Sequence, residues 1–334
     1  MEDKKVCLIA CWFGKLPNYF DLWELSCSKN ENIDFLLFTD QKIVDCKKNI
    51  IVKNIEFTEL KKLFETKLET SICLEKAYKI CDFRPMFGVV FSDYLTQYDF
   101  WGYCDLDVIW GDFSAFLSQD MLQRYDAIFN GGHFSLLKNN TTINTLYKQD
   151  GAAFDYSEVI ANDAVYAFDE FVGIQSIAKI NNIKAYYFIP YIDTDVRFNH
   201  LQARHSIENY SYQIFYWENG KLLRSYLNGC HIANEEFLYI HLQKRKMNIR
   251  DLPKDCNSFW VDEHEFLVRN ESCVMPKDFT CHNLPIGKVK KYCELMNYYK
   301  RKIIAYFKLT SLQKKVRIIQ QKAGINKFGN EEKK

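Results

Sequence analysis

The sequence predicts an α/β fold built on a mostly parallel sheet that is flanked by helices. Val6–Trp12 is a continuous apolar run, the pattern of a strand buried on both faces, and residues 34–40 predict a second buried strand that ends in a polar pair. Residues 19–29 lie between them and are amphipathic, with Phe20, Trp23 and Leu25 among the apolar positions. A strand, a helix and a strand in this order form the unit from which parallel sheets are built.

Further elements follow along the chain. Residues 50–55 favour a third strand and Phe57–Leu68 an amphipathic helix, and a helix through Phe91 follows the motif Cys-Asp-Phe-Arg-Pro at 81–85. We expect later strands at 98–104, 125–130, 184–188 and 236–241, and a hairpin that joins 213–217 to 222–226. After residue 250 the pattern weakens, and residues 292–322 are helical in pattern. These elements predict a main domain at 1–275 and a basic helical extension at 276–334.

Composition indicates a large core and free thiols. Hydrophobic residues make up 48% of the 334 residues. Cys7, Cys11, Cys73, Cys81 and Cys104 lie inside apolar stretches, and no Cys-x-x-Cys pair suggests a structural zinc site. The charged N-terminus leads directly into the first strand and does not resemble a secretory signal. We therefore expect a reduced, cytoplasmic protein.

Charge is distributed unevenly along the chain. Residues 281–334 contain fourteen Lys or Arg against three Glu, which leaves a net charge of −10 for the rest of a chain whose total is +1. The mixed apolar and basic pattern near residues 299–309 predicts contact with the anionic inner face of the plasma membrane. A helix packed on the main domain is the alternative. The acidic remainder argues against nucleic-acid binding.

Asp105 and Asp107 are the central candidate residues. They follow the apolar strand at 98–104, and alternate residues of an extended segment point to one face, with Leu106 directed into the core. Two carboxylates side by side repel each other, and Mg²⁺ or Mn²⁺ relieves that repulsion. A pair of surface acids in a turn is the alternative, since Asp-x-Asp is common.

Other polar motifs extend this candidate site. His241 ends the strand at 236–241 and is a candidate third metal ligand, and Lys244 and Lys246 behind it are candidate phosphate contacts; a solvated turn is the alternative. Gly132 permits close approach of a ligand, and His133 is placed to donate to sugar hydroxyls. Asp169 and Glu170 lie between two Phe residues, which suits a base in a partly apolar cleft, although acids at a helix N-terminus have the same pattern.

Taken together, these motifs resemble the family of bacterial GT-A-fold glycosyltransferases found in capsular and surface polysaccharide gene clusters. The resemblance covers residues 5–250 and is carried by Phe-Gly-Lys-Leu-Pro at 13–17, residues 34–40, 79–85, 98–111, 132–134, 168–170 and 241–247. It implies a Rossmann-like sheet that binds a nucleoside-diphosphate sugar, most often a UDP-sugar, with Mn²⁺ or Mg²⁺. Asp105, Asp107 and His241 match the metal ligands. Arg84 replaces a Lys that is common in the family.

The resemblance also assigns site residues. In inverting members the motif at Asp169 and Glu170 contains the catalytic base, and we expect Asp169 to be the base and Glu170 to orient the acceptor. We expect contacts to the donor from Thr39, Asp40, Lys79, Asp82, Arg84, Asp105, Gly132, His133, Lys244 and Lys246. For the charged motif at 79–85 an ordinary helix-capping ion pair is an equal alternative, and for Gly132 and His133 the alternative is a tight turn.

The expected function is a metal-dependent hexosyltransferase. It would move galactose or glucose from a UDP-sugar to a sugar hydroxyl of an oligosaccharide or lipid-linked polysaccharide unit. One alternative is a nucleotidyltransferase or sugar-phosphate enzyme, although the loop at 13–17 holds one Gly rather than a Gly-rich phosphate loop. A second alternative is a non-enzymatic protein that binds carbohydrate through its aromatic residues, which make up 16% of the chain.

Overall fold

The computed structural model describes residues 5–204, 207–270, 273–283 and 285–331, and it has the predicted α/β class. Its largest sheet has seven strands in the order β3-β2-β1-β4-β7-β6-β8, and four of the six strand pairs are parallel. These strands are β1 Val6–Trp12, β2 Ile33–Thr39, β3 Ile50–Asn54, β4 Phe100–Cys104, β6 Ala127–Phe129, β7 Phe134–Lys138 and β8 Ala185–Tyr186.

The continuous apolar sequence of β1 has a direct structural cause. Cys7 and Ile9 belong to a core cluster on one face of the sheet, and Val6, Leu8 and Ala10 belong to a second cluster on the other face. Because side chains alternate along a strand, a strand buried on both faces needs an apolar residue at every position. The two core layers therefore fix β1 at the centre of the domain.

Two helices close to the predicted bounds cover this sheet. The first is α1 (Phe20–Ser28), and the second is α2 (Phe57–Leu68), which begins with a capping box between Glu56 and Glu59. The helix predicted through Phe91 differs from expectation, since most of the segment is a 3₁₀ helix, Ala77–Met86, and only Phe87–Val90 (α3) is α-helical. Pro85 lies inside this segment and has no N–H to donate, which disfavours a longer α-helix.

Two further sheets hold the second half of the chain. A three-stranded sheet has the order β5-β13-β9, and a six-stranded sheet has the order β12-β11-β10-β15-β16-β14. Their strands are β5 Val108–Trp110, β9 Ile192–Asp193, β10 Gln213–Glu218, β11 Lys221–Asn228, β12 His231–Phe237, β13 Tyr239–His241, β14 Asn248–Arg250, β15 Ser258–Val261 and β16 Glu265–Val268.

Comparison with the predicted strands gives one confirmation and two corrections. The hairpin of β10 and β11 is confirmed. The single strand expected at 236–241 is wrong, because the chain leaves the six-stranded sheet at Leu238 and continues as β13 beside β5. At this crossing Leu238 N–H donates to the carbonyl of Pro190, and the Leu238 carbonyl accepts from Gly111 N–H. The strands β14 to β16 lie where the sequence pattern weakens, and they were not predicted.

Short helices connect the strands, and several begin at side-chain caps. Asp112, Ser118, Asn140 and Asp155 each accept a hydrogen bond from a backbone N–H of the first turn. These helices are α4 Phe113–Phe116, α5 Gln119–Arg124, α6 Thr141–Asn144 and α7 Tyr156–Ala161, followed by α8 Ile174–Ile180. Further 3₁₀ helices are Ser92–Tyr94, Leu146–Lys148 and Pro276–Thr280.

The C-terminal region forms two helices where one helical pattern was expected. They are α9 (Lys288–Phe307) and α10 (Ser311–Glu331). Thr310 ends the pattern because its hydroxyl accepts from Gln313 N–H while the Gln313 side chain accepts from Thr310 N–H, which is a capping box at the start of α10. Phe279 and Val316 are buried against the main domain, so contacts cross the predicted boundary at residue 275.

All twelve cysteines are free thiols. Among the described residues, no helix is both long and apolar enough to cross a membrane.

Candidate metal and nucleotide site

A bend between β4 and β5 carries the central acids. The extended geometry expected for this segment is wrong, since Asp105, Leu106 and Asp107 form a bend, although Leu106 is buried as predicted. Two distant segments hold the bend: Asp105 N–H donates to the carbonyl of His133 (3.2 Å), and the Asp107 carboxylate accepts from Lys244 N–H (2.7 Å). Both acids therefore have fixed positions at the carboxyl edge of the parallel strands.

His241 reaches these acids through the three-stranded sheet. β13 pairs antiparallel with β5, which sets His241 opposite Val108. Its Nε2 lies 3.4 Å from Asp107 Oδ1 and 3.9 Å from Asp105 Oδ2, so the predicted proximity of His241 and Asp107 is confirmed. One donor atom from each of the three residues falls within 4.8 Å of the others.

Asp193 orients the His241 ring and was not predicted. β9 runs parallel to β13 with Asp193 opposite His241, and Asp193 Oδ1 lies 2.9 Å from His241 Nδ1. The Gln243 amide also donates to this carboxylate. Because Asp193 occupies Nδ1, Nε2 is directed at the acids, which is the arrangement of a carboxylate behind a metal-binding His. A sequence signal existed, since Asp193 ends a short apolar segment as Asp105 does.

The protonation of this cluster follows from its burial and charges. Burial lowers the pKa of His241, but the carboxylates of Asp107 and Asp193 outweigh it and raise that pKa to about 10. Burial raises the pKa of Asp107, but the His241 charge outweighs this effect and lowers the pKa to about 2. The imidazolium thus supplies the positive charge that the buried acids require.

One atom lacks a hydrogen bond in this arrangement. Asp107 Oδ1 is buried and has no hydrogen-bond partner among the residues that the structure describes. Ligand atoms around Mg²⁺ or Mn²⁺ at about 2.1 Å are separated by about 3.0 Å when adjacent and about 4.2 Å when opposite. The distances of 3.4 and 3.9 Å fall in this range, and two carboxylates with one imidazole fit such an ion.

Arg84 connects the metal candidates to the second acidic motif. Its guanidinium donates to Asp105 Oδ1, to Asp169 Oδ2 (2.9 Å) and to the carbonyl of Gly132. Asp169 is buried, and the Tyr103 hydroxyl donates to its backbone carbonyl (3.0 Å). The sequence separated these groups into unrelated motifs, whereas the structure places them around one arginine.

Glu170 differs from Asp169 in its surroundings. Its side chain is half-buried. Burial raises its pKa, and the Arg84 charge opposes this increase. The charges that act on the pKa of Glu170 include those of Asp105, Asp193 and His241, and a Cβ atom on Gly132 would lie 3.1 Å from Glu170 Oε1, which places this carboxyl beside Gly132.

Lys79 and Asp82 do not line the site as predicted. They are buried, form an ion pair at 2.8 Å, and Asp82 also accepts from the backbone N–H groups of Tyr166 and Phe168 at 2.9 to 3.1 Å. The prediction that they contact the donor is therefore corrected. This buried pair fixes the loop that leads to Asp169.

Gly132 and His133 lie beside Asp169 and His241. A Cβ atom on Gly132 would lie 2.8 Å from Asp169 Oδ2, so the position has no room for a side chain. The His133 ring packs 4.4 Å from the His241 ring, and its Nδ1 lies 2.9 Å from the Tyr239 hydroxyl. Burial and then the His241 charge lower the pKa of His133 to about 3, which keeps it neutral.

Thr39 and Asp40 follow β2 at the same sheet edge. Thr39 is buried, and its hydroxyl accepts from Gln41 N–H (3.2 Å). The Asp40 carboxylate is more exposed and accepts from Gly14 N–H (2.9 Å) and from the Gln41 amide (2.8 Å), and the latter bond lowers its pKa. Of the predicted pair, Asp40 alone is open to a ligand.

Lys244 and Lys246 are exposed, as a phosphate contact requires. The Lys244 ammonium lies 4.1 Å from the centre of the Tyr78 ring, and its positive charge helps to lower the pKa of Asp107. Arg245 between them points inward, where it donates to the carbonyls of Phe198 (3.0 Å) and Glu263 (3.3 Å).

Comparison with known proteins gives one match. Residues 8–270 match DUF6625, a family of unknown function. The matched range contains every site residue described above and the strands of all three sheets except the first two residues of β1. No curated protein matches the chain.

Proposed function

The chain belongs to the DUF6625 family, and we propose that it is a metal-dependent glycosyltransferase of the GT-A type that moves a hexose from a UDP-sugar to a sugar hydroxyl. The observation that carries the proposal is the convergence of Asp105, Asp107 and His241 around Asp107 Oδ1, which is buried and accepts no hydrogen bond from the described residues. The acids follow the carboxyl end of β4, and this edge of a parallel sheet is where α/β folds bind nucleotides.

Asp105, Asp107 and His241 would hold Mn²⁺ or Mg²⁺. When bound, the ion supplies positive charge to the leaving diphosphate. Asp193 keeps His241 in the orientation needed for binding, and Arg84 fixes the Asp105 carboxylate. We thus assign Arg84 to positioning Asp105 and Asp169 rather than to direct contact with the donor.

Two exposed lysines complete the proposed diphosphate site. Lys244 lies beside Asp107, because its own N–H donates to that carboxylate, and Lys246 follows two residues later. An ammonium group near the metal would stabilise the charge that develops as the glycosidic bond breaks. Asp40 and His133 are proposed contacts for polar groups of the donor.

The acceptor base is better assigned to Glu170 than to Asp169, which exchanges the roles expected from the sequence. Burial also raises the pKa of Asp169 well above its usual value, but its carboxylate is buried and bound to Arg84, so it is less accessible to an acceptor hydroxyl than that of Glu170. Glu170 is half-buried with a raised pKa, which suits a group that takes a proton from a hydroxyl. This role applies if the reaction inverts configuration; if it retains configuration, the pair would position the acceptor.

A cavity beside the metal site is proposed to receive the acceptor. Its volume is about 330 Å³, and it is lined by Asp195, Val196, Arg197, Arg204, Tyr298 and Tyr299. Arg204 connects it to the site, since its guanidinium lies 3.8 Å from the carboxylate of Asp193. Polar groups with aromatic rings are suited to a sugar, and an oligosaccharide or lipid-linked glycan is the proposed substrate class.

The test is a screen of nucleotide sugars for slow hydrolysis in Mn²⁺, which needs no acceptor. We expect release of UDP from one UDP-hexose, loss of that activity in Asp107→Asn, and no change in Asp120→Asn, whose carboxylate pairs with Arg124 on the surface. Absence of Mn²⁺-dependent UDP binding by calorimetry would contradict the proposal. Release of pyrophosphate would favour a nucleotidyltransferase, and glycan binding without nucleotide affinity would favour a carbohydrate-binding protein.

A further inference from the structure

Helix α9 carries an apolar stripe on its surface. Six side chains at spacings of three or four residues lie on one face of the helix, and each is exposed by 50% to 79%. This α9 stripe consists of Val289, Tyr292, Met296, Tyr299, Ile303 and Phe307. Six large apolar side chains in one row are more than the scattered exposure that ordinary surfaces show.

Basic residues flank the stripe. Within α9 there are six Lys or Arg and one Glu, and the Glu294 carboxylate points inward to accept from Asn199 N–H (3.2 Å). Lys288 and Lys300 are exposed and adjoin stripe residues in the sequence, since Lys288 precedes Val289 and Lys300 follows Tyr299. The outward surface of the helix is therefore apolar and positively charged.

Apart from Tyr299, which also lines a cavity with Arg197, the stripe lies outside the half-buried positions through which α9 packs on the domain. The half-buried positions of α9 are Glu294, Leu295, Tyr298 and Tyr306, and Lys291 lies 5.1 Å from the centre of the Phe198 ring. α10 packs through Val316, which joins the core cluster beneath the large sheet. Ile303 and Phe307 line the groove between the two helices, and that groove is open rather than filled.

We propose that the α9 stripe docks the protein on an anionic lipid surface, with the stripe in the interface and the flanking lysines at the headgroups. Charge complementarity selects this partner. A helix with an apolar face and a cationic surround matches the interface of a bilayer that contains anionic lipid. A second copy docked stripe to stripe would bring its own lysines against these lysines, which disfavours that pairing.

Docking would also orient the domain. Tyr299 belongs to the stripe and lines the cavity with Arg197 and Arg204. The cavity mouth would thus face the lipid surface. This placement stands without the proposed glycosyltransfer, since it follows from α9 alone.

The test is flotation of the full chain with vesicles of phosphatidylcholine that contain about 30% phosphatidylglycerol, at about 0.1 M salt. The variant Met296→Glu with Ile303→Glu puts two charges in the stripe. The control, Asn297→Glu with Ala305→Glu, puts the same two charges at exposed positions of α9 outside the stripe. We expect the wild type to bind the vesicles. The vesicle affinity of the stripe variant should fall by about tenfold or more, and that of the control by less than half as much.

Four other outcomes would overturn the proposal. Equal loss in both variants would show attraction by charge alone. Equal binding to pure phosphatidylcholine would remove the role of anionic lipid. The wild type could fail to bind vesicles and instead form a dimer in analytical ultracentrifugation. If the stripe variant abolishes that dimer, the stripe is the contact with a second copy of the chain. A lack of vesicle binding by a monomeric wild type would leave the stripe without this function. Circular dichroism of both variants checks that α9 remains folded.

Discussion

The Nε2 atom of His241 lies 3.4 Å from Oδ1 of Asp107, although the two residues are far apart in the sequence. The pairing of β13 with β5 creates this contact, and the Asp193 carboxylate on β9 holds the other ring nitrogen. The bend before β5 and the neighbouring strands β13 and β9 thus contribute the candidate metal ligands and the group that orients one of them. The predictions below test this arrangement and the arginine beside it.

Replacing Asp193 with Asn should weaken metal binding while leaving the three ligands in place. Asn keeps the size of the side chain but loses the charge that orients the His241 ring, and such substitutions behind a metal-binding His lower affinity by about 10- to 100-fold. Calorimetric titration with Mn²⁺ measures the change. A matched control is Asp262→Asn, whose carboxylate lies 3.2 Å from the ring of His282 away from the site. Unchanged Mn²⁺ affinity in Asp193→Asn would remove Asp193 from the site.

Metal affinity should rise with pH. Burial lowers the pKa of His241, but Asp107 and Asp193 raise it from 6.5 to about 10 in the metal-free protein, so binding must displace a proton. Apparent Mn²⁺ affinity should therefore increase by up to about tenfold per pH unit below that pKa. Calorimetry at about pH 6, 7 and 8 tests this, and an affinity that does not change with pH would contradict it.

The stability of the metal-free protein should change in the opposite direction. Because the folded pKa of His241 exceeds the unfolded value of 6.5, its contribution is complete below pH 6.5 and is lost as pH rises towards 10. We expect the Tm to fall over this interval and the increase in Tm caused by Mn²⁺ to grow. In His241→Gln both effects should disappear, and their persistence would assign them to other groups.

Arg84 should be essential for stability. Its side chain is 14% exposed and pairs with two carboxylates, so Arg84→Ala would remove the ion pairs of Asp105 and Asp169 and leave Asp105 with the His241 ring at 3.9 Å, at a cost of about 3 to 5 kcal/mol. Arg84→Lys keeps the charge but loses the branched guanidinium that reaches both acids, so we expect an intermediate decrease in the free energy of unfolding. Urea unfolding measures both values. Equal stability of wild type and Arg84→Ala would show that the pairs contribute nothing.

Glu170→Gln and Asp169→Asn should separate catalysis from structure. If Glu170 takes the proton of the acceptor hydroxyl, Glu170→Gln should reduce transfer by about 10²- to 10⁴-fold and leave Mn²⁺-dependent UDP binding unchanged. Asp169→Asn should chiefly lower the free energy of unfolding, because it weakens the bond to Arg84. Transfer assays and calorimetry on both variants decide between the roles. A larger loss of transfer in a fully folded Asp169→Asn would restore Asp169 as the base.

Local patterns in the sequence determined the central elements. The bounds of β1 and α2 were predicted correctly because a strand buried on both faces and an amphipathic helix are encoded by consecutive residues. The ligand candidates Asp105, Asp107 and His241 were also recognisable, since each lies at or just after the end of an apolar strand. Their chemical class and position in the chain sufficed to select them.

Only the tertiary structure decided how the remaining polar residues are used. In the sequence, Lys79 and Asp82 are indistinguishable from an exposed charged motif, yet both are buried and form an ion pair with each other. Asp193 gained its role because β9 lies beside β13, a pairing that no local pattern encodes. A charged side chain is a ligand, a structural partner or a base according to which distant groups surround it, because burial and nearby charge set its energy.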